Sequence, residues 1–229
     1  FFKTPFRLGK YILIPTNKDN VLLIHLGMSG QIKIQNEKYK KTKHDHINIL
    51  VKTQCNLTYT ITYNDPRRFG FIDLLKKKDI HKHFLLNKLG FEALSKELTI
   101  NNLKPLLKNR TKSIKNTLID QTVIAGIGNI YASEILYKAK IHPFRSTNSL
   151  SDIDLKTIIK ACRFILKKAI KLGGTTIKNH AQPDGKLGYF KQKLKVYGRT
   201  GEKCFSCKNN IINSSIAKRS TYYCDNCQM

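Results

Sequence analysis

The chain has 229 residues, and its 42 lysines and arginines against 15 acidic residues give a formal charge of +27. An excess of this size, spread along the whole chain, predicts a polyanionic partner, with nucleic acid ahead of an anionic membrane surface. The sequence contains neither a signal peptide nor an apolar run of about 18 residues, the length that spans a bilayer. We therefore expect a cytoplasmic protein without a membrane segment.

Residues 1–75 have the pattern of an antiparallel sheet domain with its own core. Short apolar or alternating runs, separated by turn residues, are typical of half-buried strands. The predicted strands are 11–14, 21–24, 31–34, 47–51, 57–63 and 69–74.

From residue 80 the apolar periodicity becomes helical, so the fold class is α+β. Ser95 is a weak helix cap, and residues 101–107 form a short helix. Residues 151–171 form an amphipathic helix that Ser151 caps and a glycine pair at 173–174 ends. We expect three domains, at residues 1–93, 94–194 and 195–229.

The segment 112–139 is predicted to fold as a helix, a glycine turn and a second helix. Asn129 stands where a helix N-cap is expected, after Gly126 and Gly128. A helix N-terminus with free amides, near Lys112 and Lys115, is a suitable anion site. The alternative is a helical hairpin whose glycines only turn the chain.

Four cysteines near the C-terminus have the spacing of a metal site. Two CxxC pairs separated by 16 residues can hold one tetrahedral Zn²⁺ through four thiolates: Cys204, Cys207, Cys224 and Cys227. Two disulfides are the alternative, and a catalytic zinc is disfavoured because four thiolates close the coordination sphere. Cys55 and Cys162 are interpreted as core residues. The basic segment 218–222 between the pairs suits a DNA phosphate, or else is a solvated turn.

Nine motifs in order resemble those of bacterial formamidopyrimidine-DNA glycosylases, the repair enzymes that remove 8-oxoguanine and ring-opened purines. The endonuclease VIII-type sister family shares the central helix pair and the cysteine finger, but the PRRFG loop favours the first family. The resemblance implies an incomplete antiparallel β-sandwich-type domain, a helix-two-turns-helix domain and a C-terminal β-hairpin zinc finger. The motifs are IHLGMSG (24–30), KHDH (43–46), YNDPRRFG (63–70), GIGNIYASE (126–134), IHP (141–143), GGTT (173–176), DGKLGYF (184–190), VYGRTGE (196–202) and the finger itself.

The resemblance also implies a partner, a metal and a reaction. The partner is double-stranded DNA with an oxidised purine or an abasic site, bound by a monomer with one structural Zn²⁺ in the bacterial cytoplasm, at the nucleoid. In the family an N-terminal proline attacks C1′ beside a glutamate acid, and β- and δ-elimination follow. This chain begins Phe1-Phe2, so we expect a fragment without that nucleophile. A catalytically inactive fragment that binds damaged DNA is the alternative to an enzyme.

Specific residues match the family's functional positions. Lys10 matches the lysine that assists β-elimination, and Arg219 matches the arginine that assists δ-elimination. Met28, Arg67 and Phe69 match the three residues that enter the duplex where the base leaves, with Arg67 on the orphaned cytosine. Filling that hole with an apolar wedge and a planar cation is chemically reasonable. Without the resemblance, Lys10 would be a solvated lysine, and Met28 and Phe69 would be core residues.

Four more residues match contacts with the DNA backbone: His44, Arg110, Lys115 and Asn129. Arg110 stands where the family usually has lysine. Residues 181–190 match the loop that covers the damaged base. In that loop Pro183 has no amide to donate, and Leu187 replaces the usual proline, so the preference among damaged bases is left open.

Overall fold

The computed structural model describes residues 1–36, 39–175 and 188–229, so Pro183 and Leu187 lie outside the described residues. The chain forms two compact units, one of residues 1–80 with 169–192 and the other of residues 81–168 with 193–229. The expected division into three domains stays a prediction. The helical residues and the cysteine hairpin belong here to one compact unit.

The first unit contains two antiparallel sheets, as the alternating apolar pattern predicts. One has the strand order β1-β2-β3-β7 and the other the order β4-β6-β5. All six predicted strands are confirmed, and β1 is additional. The strands are β1 (Phe6–Leu8), β2 (Tyr11–Pro15), β3 (Asn20–His25), β4 (Gln31–Asn36), β5 (Asp45–Lys52), β6 (Thr58–Asn64) and β7 (Phe71–Lys76).

The apolar faces of these strands supply the core of the first unit. Leu13, Val21 and Leu23 are fully buried. Side chains from both sheets, among them Ile24 and Ile61, also line an apolar cavity of about 390 Å³. The described residues of the first unit therefore leave this part of its core open.

The second unit is mainly helical. Thr99, and not Ser95, caps the first helix, because its hydroxyl accepts a hydrogen bond from the amide of Asn102. Ser151 caps the last helix as predicted, since its hydroxyl accepts from the amide of Asp154 and the Asp154 carboxylate accepts from the amide of Ser151. The elements, including a short parallel pair, are β8 (Phe91–Glu92), α1 (Ile100–Leu107), α2 (Ile114–Ile119), β9 (Ile124–Ala125), α3 (Asn129–Ala139) and α4 (Asp152–Lys171, whose last turn belongs to the first unit).

The predicted helix–turn–helix of the central segment is confirmed, with one correction at the second helix. Gly128, with φ −110° and ψ 177°, is the N-cap residue, and Asn129 is the first residue of α3. The Asn129 side chain does not cap the helix because its amide nitrogen donates to the carbonyl oxygen of Ser220. Ile114 and Leu118 of α2 and Ile135 of α3 are buried in the core.

The C-terminal segment forms a β-hairpin of β10 (Ile212–Ile216) and β11 (Arg219–Tyr223), and β11 packs on α3. Its two-residue turn places Ala217 and Lys218 in the left-handed region, with φ of 48° and 60°. Positive φ at both positions matches the twist of a tight hairpin, although Asn and Gly adopt it more easily than Ala and Lys. Among the described residues, no helix is long and apolar enough to cross a membrane.

Candidate nucleic-acid interface

The three residues predicted to enter the duplex are exposed on two neighbouring loops of the first unit. Met28 is 69% exposed and Phe69 is 56% exposed. The Arg67 guanidinium lies over the Phe69 ring, 4.7 Å from its centre, in cation–π geometry. Large apolar side chains at such exposure do not serve a core. The alternative interpretation of Met28 and Phe69 as core residues is therefore wrong.

A buried carboxylate lies beneath these two loops. One oxygen of Asp65 accepts hydrogen bonds from the Ser29 hydroxyl (2.6 Å) and the Arg67 amide (3.2 Å). The other oxygen accepts from the Gly70 amide (2.9 Å) and the Tyr63 hydroxyl (3.1 Å). Burial alone would raise the pKa of Asp65, but these four donors together lower it to about 2. The carboxylate is thus charged and fully hydrogen-bonded at neutral pH.

Asp65 stands inside the YNDPRRFG motif, but no role was predicted for it from the sequence. An acidic residue beside two arginines looks like a surface ion pair in sequence. Its side chain is instead fully buried. The available signal was the combination of Asp65 with a following turn whose amides need an acceptor.

Lys10 is exposed on the tight turn between β1 and β2, where Gly9 has φ 56°. The turn lies next to a cluster of three rings formed by Tyr11, His25 and Phe71. Burial, and then the charge of Lys10, lower the pKa of His25. The predicted part of Lys10 in β-elimination stays a prediction.

His44, predicted to contact the DNA backbone, is partly buried and directly precedes β5. Its carbonyl oxygen accepts a hydrogen bond from the Asp65 amide (3.1 Å). Two residues later, the Nε2 atom of His46 bonds the Asp65 carbonyl oxygen at 2.8 Å. The segment that carries His44 is thus attached to the loop that carries Arg67 and Phe69.

Lys115 requires a correction. The resemblance implies a phosphate contact, but the side chain is fully buried. Its ammonium donates to the Thr221 hydroxyl (2.7 Å) and to the Ser220 carbonyl oxygen (2.9 Å) in β11. Burial, and then the nearby charge of Arg219, lower its pKa to about 8. In this structure Lys115 supports the strand that carries Arg219 and does not face a phosphate.

Asn129 reaches the same strand from α3. Its amide nitrogen donates to the Ser220 carbonyl oxygen at 2.9 Å, so this oxygen accepts from both Lys115 and Asn129. The Asn129 Oδ1 atom is buried and has no hydrogen-bond partner among the residues that the structure describes. A direct phosphate contact by Asn129 stays a prediction.

Arg110 and Arg219 are brought together in a surface groove of the second unit. The groove has a volume of about 410 Å³, and Lys112 and Asn116 also line it. Arg110 is held in place by an ion pair with Asp120 at 2.8 Å. Three cationic side chains against one carboxylate make the groove suitable for an anion.

The four predicted metal ligands converge. Their sulfur atoms all lie within 4.8 Å of one another, and all four cysteines are free thiols. The Sγ atoms of Cys207 and Cys224 are 3.4 Å apart, and those of Cys204 and Cys227 are 3.8 Å apart. Four thiolates at zinc–sulfur distances of about 2.3 Å on a tetrahedron have sulfurs about 3.8 Å apart. The cluster is therefore compact enough for all four sulfurs to bind one metal ion.

Ionisation of the four thiols in this cluster also favours a bound cation. Burial opposes ionisation of Cys204, but hydrogen bonds from Tyr137 and from nearby amides lower its pKa to about 6. Burial and the other three sulfurs raise the pKa of Cys227 to about 12. A divalent metal would remove this conflict by ligating all four as thiolates. The two other cysteines differ from each other: Cys162 is a core residue as predicted, but Cys55 is exposed.

Glu134 is a second buried acid that sequence analysis missed. Its carboxylate accepts hydrogen bonds from three consecutive amides, those of Lys195, Val196 and Tyr197, at 2.9 to 3.0 Å. Burial raises its pKa, although the three amides oppose that shift. A lone acid on the apolar face of α3 was the available signal. Glu134 attaches α3 to the segment that leads into the cysteine hairpin.

The fold and these residues define a helix-two-turns-helix protein with a C-terminal four-cysteine hairpin. Family profiles described as the N-terminal domain and the H2TH domain of formamidopyrimidine-DNA glycosylase match residues 2–72 and 89–181. The chain belongs to the formamidopyrimidine-DNA glycosylase family.

Curated relatives and solved structures agree with this membership. The chain is 46% identical to formamidopyrimidine-DNA glycosylase of Rickettsia conorii over 222 residues, which cover 97% of this chain and 80% of the relative. The Lactococcus lactis Fpg protein in complex with DNA that contains an abasic site has a TM-score of 0.89 and 35% identity, over 99% of this chain and 82% of that one. The Thermus thermophilus MutM (Fpg) protein has a TM-score of 0.89 and 33% identity, with the same coverage.

Proposed function

We propose that this protein is a DNA glycosylase and abasic-site lyase of base-excision repair that acts on oxidised purines in duplex DNA. Family membership supports the reaction class, and relatives of this fold were solved with DNA containing abasic or formamidopyrimidine sites. The observation that carries the proposal is the exposure of Met28, Arg67 and Phe69 on adjoining loops. A wedge and a planar cation that point into solvent can fill the hole that a flipped nucleotide leaves.

The roles of the other residues follow the same proposal. Lys10 and Arg219 would assist β- and δ-elimination, and His44, Arg110 and Asn129 would contact the DNA backbone. One structural Zn²⁺ per chain would be held by the four cysteines and would fix the hairpin that carries Arg219. We place the protein in the bacterial cytoplasm, at the nucleoid, as a monomer on DNA.

For a polypeptide of residues 1–229 alone, we propose damage binding without base excision. Attack on C1′ needs an amine held beside an acid, and such positioning contributes about 7–11 kcal/mol to lowering the barrier. The Phe1 side chain is 94% exposed, and its ammonium donates to Asn17 at 2.9 Å. Phe1 and Phe2 supply neither the family's proline nor its glutamate.

Borohydride trapping tests the two activities separately. Residues 1–229 should give no covalent complex with a duplex that contains 8-oxoguanine. With a preformed abasic site, only a slow reaction through Lys10 is expected, and Lys10→Ala should abolish it. The same polypeptide preceded by the family's segment with its N-terminal proline should trap on both duplexes. If this extended protein trapped on neither, the glycosylase proposal would be wrong.

A further inference from the structure

Three motifs that are far apart in the sequence meet at Asp65. Ser29, from the LGMSG turn, bonds the carboxylate, and so do the Arg67 and Gly70 amides of the PRRFG loop. The KHDH segment bonds the Asp65 backbone from both sides, through the His44 carbonyl oxygen and the His46 ring. One buried residue thus joins the loop of Met28, the loop of Phe69 and the segment of His44.

Close backbone packing supports the same arrangement independently of the hydrogen bonds. Gly27 has φ +59°, and a Cβ atom there would lie 2.5 Å from the carbonyl carbon of Phe69. A Cβ atom on Gly70 would lie 2.3 Å from the carbonyl oxygen of His25 and from the Tyr63 hydroxyl. The two loops therefore fit together only with glycine at these positions, and Asp65 lies where they meet.

We propose that Asp65 is a positioning residue that sets Met28, Arg67 and Phe69 in one fixed geometry for entry into a damaged duplex. Asp65 touches no DNA itself, since its side chain is fully buried. Its two oxygens receive four donors, two on each oxygen; three of them come from the two loops and the fourth is the Tyr63 hydroxyl of β6. The inference rests on the proposed function, because it concerns how the exposed triad acts on DNA.

The chemistry of a carboxylate is needed for this role. An amide in place of the carboxylate keeps one acceptor oxygen but turns an NH₂ group toward two donors. Asp65→Asn would therefore leave two donors without their acceptor, either Ser29 and Arg67 or Gly70 and Tyr63, so the loop of Phe69 loses a hydrogen bond in both cases. A buried donor without an acceptor is costly, so that loop should shift away from its position.

The experiment compares binding to two duplexes that differ only at one site. One contains a tetrahydrofuran abasic-site analogue opposite cytosine, and the other is the undamaged duplex. Dissociation constants are measured by fluorescence anisotropy at one fixed salt concentration. The readout is the preference for the damaged duplex over the undamaged duplex, which a uniform loss of stability does not change.

Asp65→Asn should lower this preference by about tenfold or more, because hydrogen bonds to a charged acceptor are lost. The matched control is Asp154→Asn. Asp154 is also a hydrogen-bonded carboxylate, which accepts from Ser151 and Arg145, but it lies in the first turn of α4 in the second unit. The control should keep the preference of the wild type.

Ser29→Ala serves as the second variant in case Asp65→Asn does not fold. It removes one donor and leaves the charge and the Gly70 bond in place, so the preference should fall by about threefold to tenfold. An unchanged preference in the folded variants, alongside a reduced one in Phe69→Ala, would overturn the role of Asp65 and leave the proposed function standing. Equal binding of both duplexes by the wild type would overturn the proposed function and this inference together.

Discussion

The ammonium of Lys115 donates a 2.9 Å hydrogen bond to the carbonyl oxygen of Ser220, across 105 residues of sequence. Asn129 donates to the same oxygen, also at 2.9 Å. Two helices of the helix–turn–helix thus hold one backbone atom of β11, next to Arg219. This relationship makes Lys115 a support of the hairpin, and it gives the stability of the second unit a pH dependence.

Stability should depend on pH through Lys115. Its pKa is lowered in the folded chain from 10.5 to about 8, so the unfolded chain binds this proton more tightly. The free energy of unfolding should therefore rise with pH between these two values, by about 3 kcal/mol from this residue. Lys115→Met does not titrate and should lose that rise. Urea unfolding at pH about 7.5 and about 10.5 measures it.

The control for this prediction is Lys112→Met, at an exposed lysine three residues earlier. It should show the same pH response as the wild type. An equal response in Lys115→Met would mean that the buried ammonium is not the source.

Metal binding should be stoichiometric. Purified protein is expected to contain one Zn²⁺ per chain, because the four sulfurs already lie within 4.8 Å of one another. Cys204→Ser should reduce the metal content and unfold the hairpin locally, since the binding free energy of such a site is folding free energy. Elemental analysis and protease sensitivity within residues 195–229 provide the measurements.

Cys55→Ser is the matched control for the metal site, as Cys55 is an exposed free thiol. Its metal content should equal that of the wild type. Protein from reducing conditions with no metal and two disulfides would contradict the assignment.

Opposite-base selectivity should depend on Arg67. Its guanidinium is exposed and held over the Phe69 ring, where it can donate to a base on the partner strand. Arg67→Ala should reduce the preference for cytosine opposite the lesion by about 1–3 kcal/mol. Competition binding with each of the four opposite bases measures this. Arg68→Ala is the neighbouring control, and similar losses in both variants would indicate a general effect of charge.

Relief of backbone strain at the hairpin turn should stabilise the protein. Ala217 has φ 48°, a conformation that costs a residue with a Cβ atom about 1–2 kcal/mol. Ala217→Gly removes that cost but adds freedom to the unfolded chain, so the net gain should be about 0.5–1 kcal/mol. Thermal unfolding of the metal-loaded protein measures it.

The control is Ser215→Gly, inside β10, where glycine should have the opposite effect on stability. Glycine in a strand interior should destabilise by about 0.5–1 kcal/mol. If both glycine variants lost stability, the turn would not be strained.

Local patterns in the sequence were sufficient for most elements of the fold. Six strands of the first unit follow from alternating apolar residues, and the cap at Ser151 follows from short-range hydrogen bonding. The CxxC spacing likewise predicted the cysteine cluster. Each of these features depends on residues within a few positions of one another or on a motif with fixed geometry. Such local features can be predicted from the sequence alone.

Burial and pairing over long distances were decided only by the tertiary structure. Sequence alone favoured Met28 and Phe69 as core residues and, through the resemblance, Lys115 as a surface ligand; the structure reverses all three. The supporting roles of Asp65 and Glu134 could be recognised only in the tertiary structure, because donors to their carboxylates lie 36 and 61 residues away in the sequence. Whether a side chain is exposed depends on what packs against it, and periodicity within one segment carries no information about a partner from another.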